Sequence, residues 1–458
     1  MAGRKQQRMW VDSFQRNAGT DKETRVNCRL AIAATTVVLF CGACRLAASE
    51  AEWPQFRGPT ADGIAPNADP PAEWSETKNI AWKAALPWHG RSSPVLQGDH
   101  IWLTTCVEQN LKRTRIGPDD MQVAPHVTFG AACLSATDGQ AVWQTTLAEV
   151  DNPAPVHALN SWATPTPVLE AGRLYCDFGT FGTACVNAAD GKIVWQQKVP
   201  LDHQVGPGSS PLVCGNALVL VRDGRDAQYV AALDKATGQQ MWKTNRPPLT
   251  GANDTRKSFS SPIQIASGGA AQLLAVGAKW AVSYDPASGK ELWRAKHEGW
   301  SIGACPVFGN GIVYFSTGCI KPQLVAVRAD GQGDVTATHT VWKSLHGVPV
   351  MSSPILLGEE IYWVSDSGEL SCSSAKTGGQ IWQQKLNGSF LASPTYAGGK
   401  LYVFSQDGLS TVFKPGKQFE KIAENTLSGP LVATPAFVGK AIFVRTDSQF
   451  YRIQQTVK

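Results

Sequence analysis

A recurring unit organises almost the whole chain, and a repeat of this kind leaves few folds open. The copy from Pro354 to Trp382 shows the pattern: a small residue and a proline, a hydrophobic or aromatic residue eight positions later, and a glycine-bearing turn before a tryptophan. Such a unit predicts four short strands joined by tight turns. Eight copies open at Pro94, Pro167, Pro211, Pro262, Pro306, Pro354, Pro394 and Pro435.

The closing residue of the unit is a tryptophan in six copies, namely Trp143, Trp195, Trp242, Trp293, Trp342 and Trp382. The seventh copy has Ile422 at this position, and the eighth ends before reaching it. Residues 79–86 carry Trp82 in the same local setting, with no repeat in front of them. We therefore predict an all-β, eight-bladed β-propeller of four-stranded blades. The N-terminal strand closes the ring by pairing near Gln449–Ile453, which protects the sheet edges.

The N-terminus differs from the rest of the chain in charge and composition. The net charge of +5 comes from basic residues in the first 49 positions, so the remainder is neutral and gives no indication of nucleic-acid binding. The apolar run that follows Arg29 ends at Cys44, which is short for a membrane span. We expect an export signal cleaved before Glu50; an anchor formed by residues 30–48 and lipidation at Cys44 are the alternatives.

Three segments follow from these features. Residues 1–49 form the signal peptide or N-terminal membrane anchor, residues 50–78 a proline- and glycine-rich lead-in, and residues 79–458 the propeller. The lead-in is expected to dock on the ring through Trp53, Phe56 and Trp74. An insertion at 107–128, inside the first copy, is expected to be a surface loop.

The eight cysteines after residue 50 allow two interpretations. Disulfides are common in exported proteins. However, Cys133, Cys185 and Cys372 each lie ten residues before a repeat tryptophan, where other copies have Ala232 and Ser283. This position favours a small buried side chain. A disulfide between Cys176 and Cys185 across one hairpin remains the less favoured alternative.

Histidines and aromatic residues concentrate in the connections that lead into each innermost strand. In a propeller these connections share one face around the central channel, which we call the loop face. The candidate ligand or partner residues on the loop face are His89, Arg91, His157, Trp162, His203, Arg256, Lys257, His297, Trp300 and His346. Polar loops also collect histidines by chance, so the cluster alone does not establish a site.

Motifs of common enzyme classes are missing from the sequence. There is no G-x-S-x-G elbow, no Walker-type phosphate loop and no H-E-x-x-H zinc motif. The serines before the repeat prolines belong to the repeat and are expected to be structural. We therefore predict no catalytic residue and no metal site.

The copies ALDKATGQQMW (232–242), NAADGKIVW (187–195) and AKTGGQIW (375–382) resemble the repeat of quinoprotein-type β-propellers. The lead-in WPQFRGPTADGIAP is similar to the start of exported repeat proteins of planctomycete bacteria. The resemblance implies that each repeat tryptophan docks on a neighbouring blade near its glycine turn. One branch of this family consists of dehydrogenases that bind pyrroloquinoline quinone (PQQ) with calcium.

These dehydrogenases carry an adjacent-cysteine disulfide over the cofactor, and this chain has no adjacent cysteines. For the family's metal ligands, Asp177, Asp223, Asp226 and Asp254 are candidates by loop position only. The other branch includes the eight-bladed scaffold subunit of the bacterial outer-membrane assembly machinery, BamB. That subunit is similar in length, blade count and export.

The sequence thus favours a non-catalytic binding or scaffold protein of the periplasm or cell envelope, monomeric, with another envelope protein as partner and no cofactor. The alternative is a PQQ-dependent oxidoreductase with calcium. A carbohydrate-binding or lyase-like propeller is a third, weaker interpretation, which rests on the histidine and aromatic cluster alone.

Overall fold

The structure is a computed structural model that describes residues 52–455. The predicted signal or anchor at 1–49 therefore lies outside the described residues. The lead-in and the strand after it contribute β1 (Glu52–Trp53), β2 (Ile64–Ala65) and β3 (Ile80–Ala85).

The first half of the repeat region forms four sheets, numbered by the order of their innermost strands. Sheet one contains β4, β5, β8 and β9. A small separate sheet is formed by β6, β7 and β10. Sheets two, three and four contain β11–β14, β15–β18 and β19–β22, respectively. The strands are β4 (Val95–Gln97), β5 (His100–Gln109), β6 (Lys112–Ile116), β7 (Asp119–Val123), β8 (His126–Ser135), β9 (Ala141–Asp151), β10 (Val156–His157), β11 (Val168–Glu170), β12 (Arg173–Asp177), β13 (Thr183–Asn187), β14 (Ile193–Gln197), β15 (Leu212–Cys214), β16 (Ala217–Asp223), β17 (Gln228–Asp234), β18 (Gln240–Asn245), β19 (Ile263–Ser267), β20 (Ala270–Val276), β21 (Trp280–Tyr284) and β22 (Glu291–Lys296).

The second half forms sheets five to eight in the same way. Sheet five contains β23, β24, β25 and β27, with β26 added to sheet four; sheets six and seven contain β28–β31 and β32–β35; sheet eight contains β36–β38 and β3. The strands are β23 (Val307–Gly309), β24 (Ile312–Ser316), β25 (Leu324–Arg328), β26 (Gly333–Asp334), β27 (Thr340–Ser344), β28 (Ile355–Leu357), β29 (Glu360–Val364), β30 (Glu369–Ser374), β31 (Gln380–Lys385), β32 (Thr395–Ala397), β33 (Lys400–Phe404), β34 (Leu409–Lys414), β35 (Glu420–Thr426), β36 (Ala436–Val438), β37 (Ala441–Arg445) and β38 (Gln449–Gln454).

Helical structure in this range is limited to three short turns, which are 3₁₀ helices at Gly179–Phe181 and Asn253–Arg256 and an α-helical turn, α1, at Thr336–His339. Within residues 52–455, then, no helix has the length and apolar character needed to cross a bilayer. The protein is all-β with repeated four-stranded antiparallel sheets, as in a β-propeller.

Strand β3 pairs with β38, which joins the two ends of the repeat region in one sheet. Trp82 lies opposite Arg452 and Ala85 lies opposite Gln449. This agrees with the position predicted for Trp82 from the missing last strand of the eighth copy. The outermost strand of sheet eight is thus supplied from the opposite end of the chain.

The repeat tryptophans connect consecutive sheets. Six sheets contain the tryptophan of their own repeat copy. In five of them the indole Nε1–H donates a hydrogen bond to a carbonyl in the last turn of the next sheet. Trp342, for example, donates to the Ala375 carbonyl at 2.9 Å. Trp82 does the same to Ala136 of sheet one at 2.9 Å. A glycine lies under the ring because a Cβ at Gly378, whose φ is +72°, would come within 2.7 Å of Trp342. The docking that the resemblance implied is therefore present.

Sheets four and seven depart from this contact. Trp293 donates instead to Gln272 of its own sheet at 2.9 Å, and Gln272 donates to Ala329 of sheet five at 3.4 Å. In sheet seven the missing tryptophan is replaced from the lead-in. Trp74 stacks on Tyr402 with ring centroids 6.3 Å apart, as Trp195 packs on Tyr175 at 6.2 Å.

The residues before the opening prolines form a row of hydrogen bonds around the innermost strands, which we call the hydroxyl row. The Ser93 N–H donates to Thr166 Oγ1 at 3.0 Å, and the row continues through Ser210 and Ser261. A second run connects Cys305, Ser353, Ser393 and Thr434. The small residue of the repeat therefore bonds one sheet to the next, in agreement with the structural role expected for these serines.

The lead-in crosses the inner strands of several sheets. β1 pairs with β4 of sheet one, and β2 runs parallel to β32 of sheet seven. Between them, Arg57 donates to the carbonyl of Pro354 at 2.7 Å. Trp53 and Trp74 are buried and Phe56 packs against the core, so all three expected anchors make contact.

One local prediction was wrong, and one less favoured alternative is not observed. Residues 107–128 are not a loop, because β5 and β8 extend into this segment and β6 and β7 form a hairpin within it. The Cys176–Cys185 disulfide is not formed, and all eight described cysteines are free thiols. Cys185 pairs with Tyr175, one register step from Cys176, so the two side chains point to opposite faces of sheet two. The small-residue interpretation of Cys133, Cys185 and Cys372 is confirmed by their complete burial.

Candidate functional site

A cavity of about 490 Å³ lies where the innermost strands and the loop face meet, and we call it the channel cavity. The hydroxyl row contributes Ser93, Thr166, Ser210, Ser261, Ser393 and Thr434 to its lining. The remaining walls are largely apolar, formed by Phe56, Leu159, Val205, Phe259, Trp300, Ile320, Met351, Leu391 and Val432. Its charged or titratable lining residues are Arg91, Asp119, His157, Asp254, Lys257 and Cys319.

Four of the ten predicted loop-face residues line this cavity, namely Arg91, His157, Lys257 and Trp300. Arg91 lies two residues before Ser93 of the hydroxyl row. His157 lies in β10, opposite Met121 of β7. Lys257 directly follows the 3₁₀ turn Asn253–Arg256. Four non-equivalent connections, one of them paired with the insertion, therefore bring these side chains together.

The Arg91 guanidinium lacks a strong partner. Its Nη2 donates to the Ala158 carbonyl at 3.3 Å, and its buried Nη1 has no hydrogen-bond partner among the described residues. No carboxylate of residues 52–455 forms an ion pair with it. Burial lowers the pKa of Arg91, Asp447 raises it and the neighbouring Arg113 lowers it further. The cavity thus holds a cation that is only partly compensated.

The Lys257 ammonium, in contrast, is satisfied within the protein. It is buried, donates to Gln204 Oε1 at 2.6 Å and forms a close ion pair with Asp254. The hydrogen bond from Lys257 lowers the pKa of Asp254. Lys257 and Asp254 therefore add little net charge to the cavity.

One ring nitrogen of His157 already accepts a hydrogen bond within the protein. Its Nδ1 accepts the Leu159 N–H at 3.0 Å, so the proton of the neutral ring resides on Nε2. Trp300 also lines the cavity, with the Lys279 ammonium 4.8 Å from its ring centroid. A ligand in the cavity can meet an aromatic face and an N–H donor together.

Trp162, His203 and His297 are buried in the core around the cavity rather than exposed in it. Burial lowers the pKa of His203 to about 3, and Arg222 adds to the effect. Burial likewise lowers the pKa of His297 to about 3. Both imidazoles are neutral at pH 7 and accept backbone N–H groups, from Thr180 at 3.1 Å and from Gly299 at 3.1 Å.

The other three predicted residues lie outside the cavity lining. His89 Nδ1 is 2.7 Å from Glu108, whose hydrogen bond raises the pKa of His89. Arg256 donates to the Gly251 carbonyl at 2.8 Å, and His346 is exposed. The ten residues are therefore distributed between the cavity, the core beneath it and the surrounding surface.

Sequence reasoning missed the apolar residues at the mouth. Ile320 is 71% exposed and Leu159 is 41% exposed, and both line the cavity. Ile320 also has a φ of 57°, a left-handed conformation that is unfavourable for a β-branched residue. Isolated apolar residues in loops carry no sequence signal, so only their shared position in the fold identifies them. Such strain is concentrated at functional positions in many proteins.

The donor set does not match a calcium-bound quinone. The family-derived candidates are already engaged: Asp177 with Arg222 at 2.6 Å, Asp223 with Arg246 at 3.3 Å, Asp254 with Lys257 and Asp226 with the Asp202 N–H at 2.8 Å. Among residues 52–455 no three His, Cys, Asp or Glu side chains form a group that could hold a metal ion. The arrangement is suited to binding through apolar contact and a few polar groups.

Solved structures with a similar fold come from both branches of the predicted resemblance. BamB from Moraxella catarrhalis is 15% identical with a TM-score of 0.52, covering 78% of this chain and 97% of that one. A quinohemoprotein alcohol dehydrogenase from Comamonas testosteroni is 10% identical with a TM-score of 0.58, covering 89% of this chain and 81% of that one. At these identities the likeness shows the fold alone.

The fold is similar in both branches of the resemblance, whereas the sequence matches are to BamB. The outer membrane protein assembly factor BamB of Escherichia coli (strain K12) is 24% identical in an alignment of 328 positions, and the match covers 60% of this chain and 77% of the relative. The corresponding protein of Shigella dysenteriae serotype 1 gives the same values. The family described as outer membrane protein assembly factor BamB matches residues 129–280 and 277–415. Because these matches span more than half of the chain, the protein belongs to this family of PQQ-like repeat β-propellers.

Proposed function

We propose that this protein is an exported β-propeller of the cell envelope that acts as a non-catalytic binding or scaffold protein through its loop face. Its eight sheets are the blades of a closed ring, and β3 completes the last blade. The location is taken from the family, whose name refers to outer membrane assembly. The partner is another envelope protein, and the ring itself is monomeric.

The closed ring is supported by contacts that run from each sheet to the next and return to the first. The tryptophan of sheet eight, Trp82, bonds to sheet one. Arg445 of sheet eight also donates to Ser92 Oγ at 2.7 Å and to the carbonyls of Thr104 at 3.0 Å and His89 at 3.1 Å. Because these acceptors belong to sheet one and its leading connection, the last sheet packs beside the first.

The observation that carries the binding role is the apolar mouth of the channel cavity. Ile320 is exposed in a strained backbone conformation, and Leu159 is exposed on another connection of the same cavity. Exposed apolar side chains around a concave, largely apolar site are typical of a surface that a partner covers. The engaged aspartates support binding rather than metal-dependent catalysis.

The PQQ-dependent oxidoreductase remains the second candidate, since a cavity of about 490 Å³ has the size of a small-molecule site. The residues present do not fit the calcium-bound cofactor, as described above. Titration of the purified protein with PQQ, with and without Ca²⁺, decides the matter through quenching of its tryptophan fluorescence. The scaffold proposal expects no saturable quenching; saturable binding that requires Ca²⁺ would favour the oxidoreductase.

Site-specific photocrosslinking in the native envelope tests the scaffold proposal directly. A photoreactive amino acid at position 320 or 159 is expected to form one discrete adduct with an envelope protein. The control positions are Val142 and Ile193, which are equally apolar and exposed but lie on outer strands. Adducts at the outer strands alone, or no adduct at any of the four positions, would contradict a binding role for the loop face.

A further inference from the structure

Arg91 suggests a more specific ligand for the channel cavity than apolar contact alone. Its Nη1 is buried and without a partner among the described residues, while its Nη2 makes only a long bond of 3.3 Å. A guanidinium buried in this state is costly unless an anion completes its hydrogen bonds. A carboxylate is the natural partner, because its two oxygens match the two N–H groups of the guanidinium edge.

The other charges around the cavity restrict the kind of anion. Lys257 is neutralised by Asp254, so it does not add a second free cation. Asp119 lines the same cavity and forms no ion pair with any residue in the range 52–455. A polyanion would therefore meet repulsion from Asp119. A ligand with one carboxylate and several N–H donors would satisfy Arg91 and Asp119 together.

The walls indicate what accompanies the carboxylate. Phe56, Phe259 and Met351 offer apolar contacts, and Trp300 offers an aromatic face. The hydroxyl row and the Nε2–H of His157 add polar groups at fixed positions. An extended peptide end has this composition, with apolar side chains, backbone N–H groups and one terminal carboxylate.

We propose that the channel cavity binds the free C-terminal carboxylate of an apolar peptide segment, with Arg91 as its counter-ion. This inference rests on the proposed binding function and names the part of the partner that enters the ring. Arg91 holds the carboxylate, Asp119 accepts a backbone N–H of the segment, and the apolar side chains pack against the walls. The exposed Ile320 and Leu159 contact the segment where it leaves the cavity.

The test compares two acetylated hexapeptides that end in Phe-Val-Leu, one with a free carboxylate and one with a C-terminal amide. Binding is followed by tryptophan fluorescence and isothermal titration calorimetry at low and physiological salt. The acid is expected to bind at least about 10-fold more tightly than the amide. Arg91→Gln should remove this difference, and Arg91→Lys should keep part of it because it retains the charge.

Arg113→Gln is the matched control, since Arg113 is an exposed arginine of β6 near Arg91. It should leave the preference for the acid unchanged. Circular dichroism and the midpoint of thermal unfolding establish that each variant is folded. Equal binding of acid and amide, a preference that survives Arg91→Gln, or no binding of either peptide would each overturn the inference.

The failure of this inference can be distinguished from the failure of the proposed function. If photocrosslinks still form at position 320 while the two peptides bind equally, the loop face binds a partner by another chemistry. If the crosslinks are also missing, the binding role itself is wrong.

Discussion

The contacts between neighbouring sheets, which we call the seams, are built in a different way from the loop face. At the seams one contact is repeated, an indole N–H to the next sheet's turn with a glycine beneath the ring, as for Trp143 and Trp342. On the loop face the cavity draws Arg91, Lys257 and Ile320 from unrelated segments. Repetition therefore serves stability, and irregular segments form the cavity.

At some seams the repeated contact between neighbouring sheets is replaced by a contact of another kind. The N–H-to-hydroxyl bonds of the row are interrupted twice, between Ser261 and Cys305, where the Cys305 thiol donates instead to the Ser261 carbonyl at 3.4 Å, and between Thr434 and Ser93. Arg57 of the lead-in lies near the first gap. Burial raises the pKa of Cys305 to about 11, and the nearby positive charge of Arg57 partly opposes this increase. At the second gap lies Arg445. A buried arginine from outside the row is present at both gaps.

Arg445→Ala tests the seam between sheets eight and one, and it is expected to have the largest effect. The change removes hydrogen bonds to Ser92, Thr104 and His89 and leaves a void, which should cost about 4 kcal/mol in the free energy of unfolding. Urea unfolding followed by fluorescence measures the loss. The exposed Arg173→Ala is the control, and similar losses for both variants would refute a special role for Arg445.

Trp74→Ala tests whether the lead-in replaces the missing tryptophan of sheet seven. Truncating a buried tryptophan should cost about 3 kcal/mol, comparable with Trp195→Ala at an ordinary seam. Ile422→Ala should change stability by less than about 0.5 kcal/mol, because Ile422 is 43% exposed. A large effect at Ile422 with a small one at Trp74 would mean that the repeat position still holds the seam.

His297→Gln tests how the protonation of a buried histidine, in the core beneath the loop face, changes stability with pH. Burial lowers the pKa of His297 to about 3 in the folded state, so between about pH 6.5 and pH 3 only the unfolded chain binds this proton. Stability is therefore lost as the pH falls below about 6.5, by about 2 kcal/mol at pH 5 for this one residue.

The His297→Gln variant should lose less stability than the unchanged protein between pH 7.5 and pH 5 in urea titrations. Asp223 acts in the opposite direction, because burial raises its pKa to about 6 and favours the protonated folded form. Its contribution is common to both proteins and cancels in the comparison. Parallel pH profiles would show that His297 is protonated in the folded state.

Ile320→Asn should have the smallest effect and the opposite sign. Asparagine tolerates the left-handed conformation that Ile320 adopts, so the unfolding free energy should rise by about 0.5–1 kcal/mol. Leu159→Asn makes the same change in polarity without relieving strain and should bring no gain. If Ile320→Asn destabilises the protein, the isoleucine contributes to the fold rather than to a partner surface.

Much of the fold could be predicted because the repeat is periodic. The small residue and proline located all eight innermost strands, and the shortfall of the eighth copy located the partner of Trp82. The prediction of a loop at 107–128 was wrong because β6 is charged and exposed along its whole length, and therefore lacks the usual alternation of buried and exposed residues. The less favoured Cys176–Cys185 bridge is absent because register, which the sequence leaves open, places the two side chains on opposite faces.

The sequence by itself determined the repeat, the order of the sheets and the pairing of β3 with β38, since each follows from local patterns that recur in register. Only the tertiary structure decided which loop residues share a cavity, because that depends on how the connections converge in space. It separated Arg91, whose guanidinium is only partly satisfied, from His203 and His297, which serve the core. It also revealed Trp74 as the substitute at the seventh seam, a contact between residues more than three hundred positions apart that no local pattern specifies.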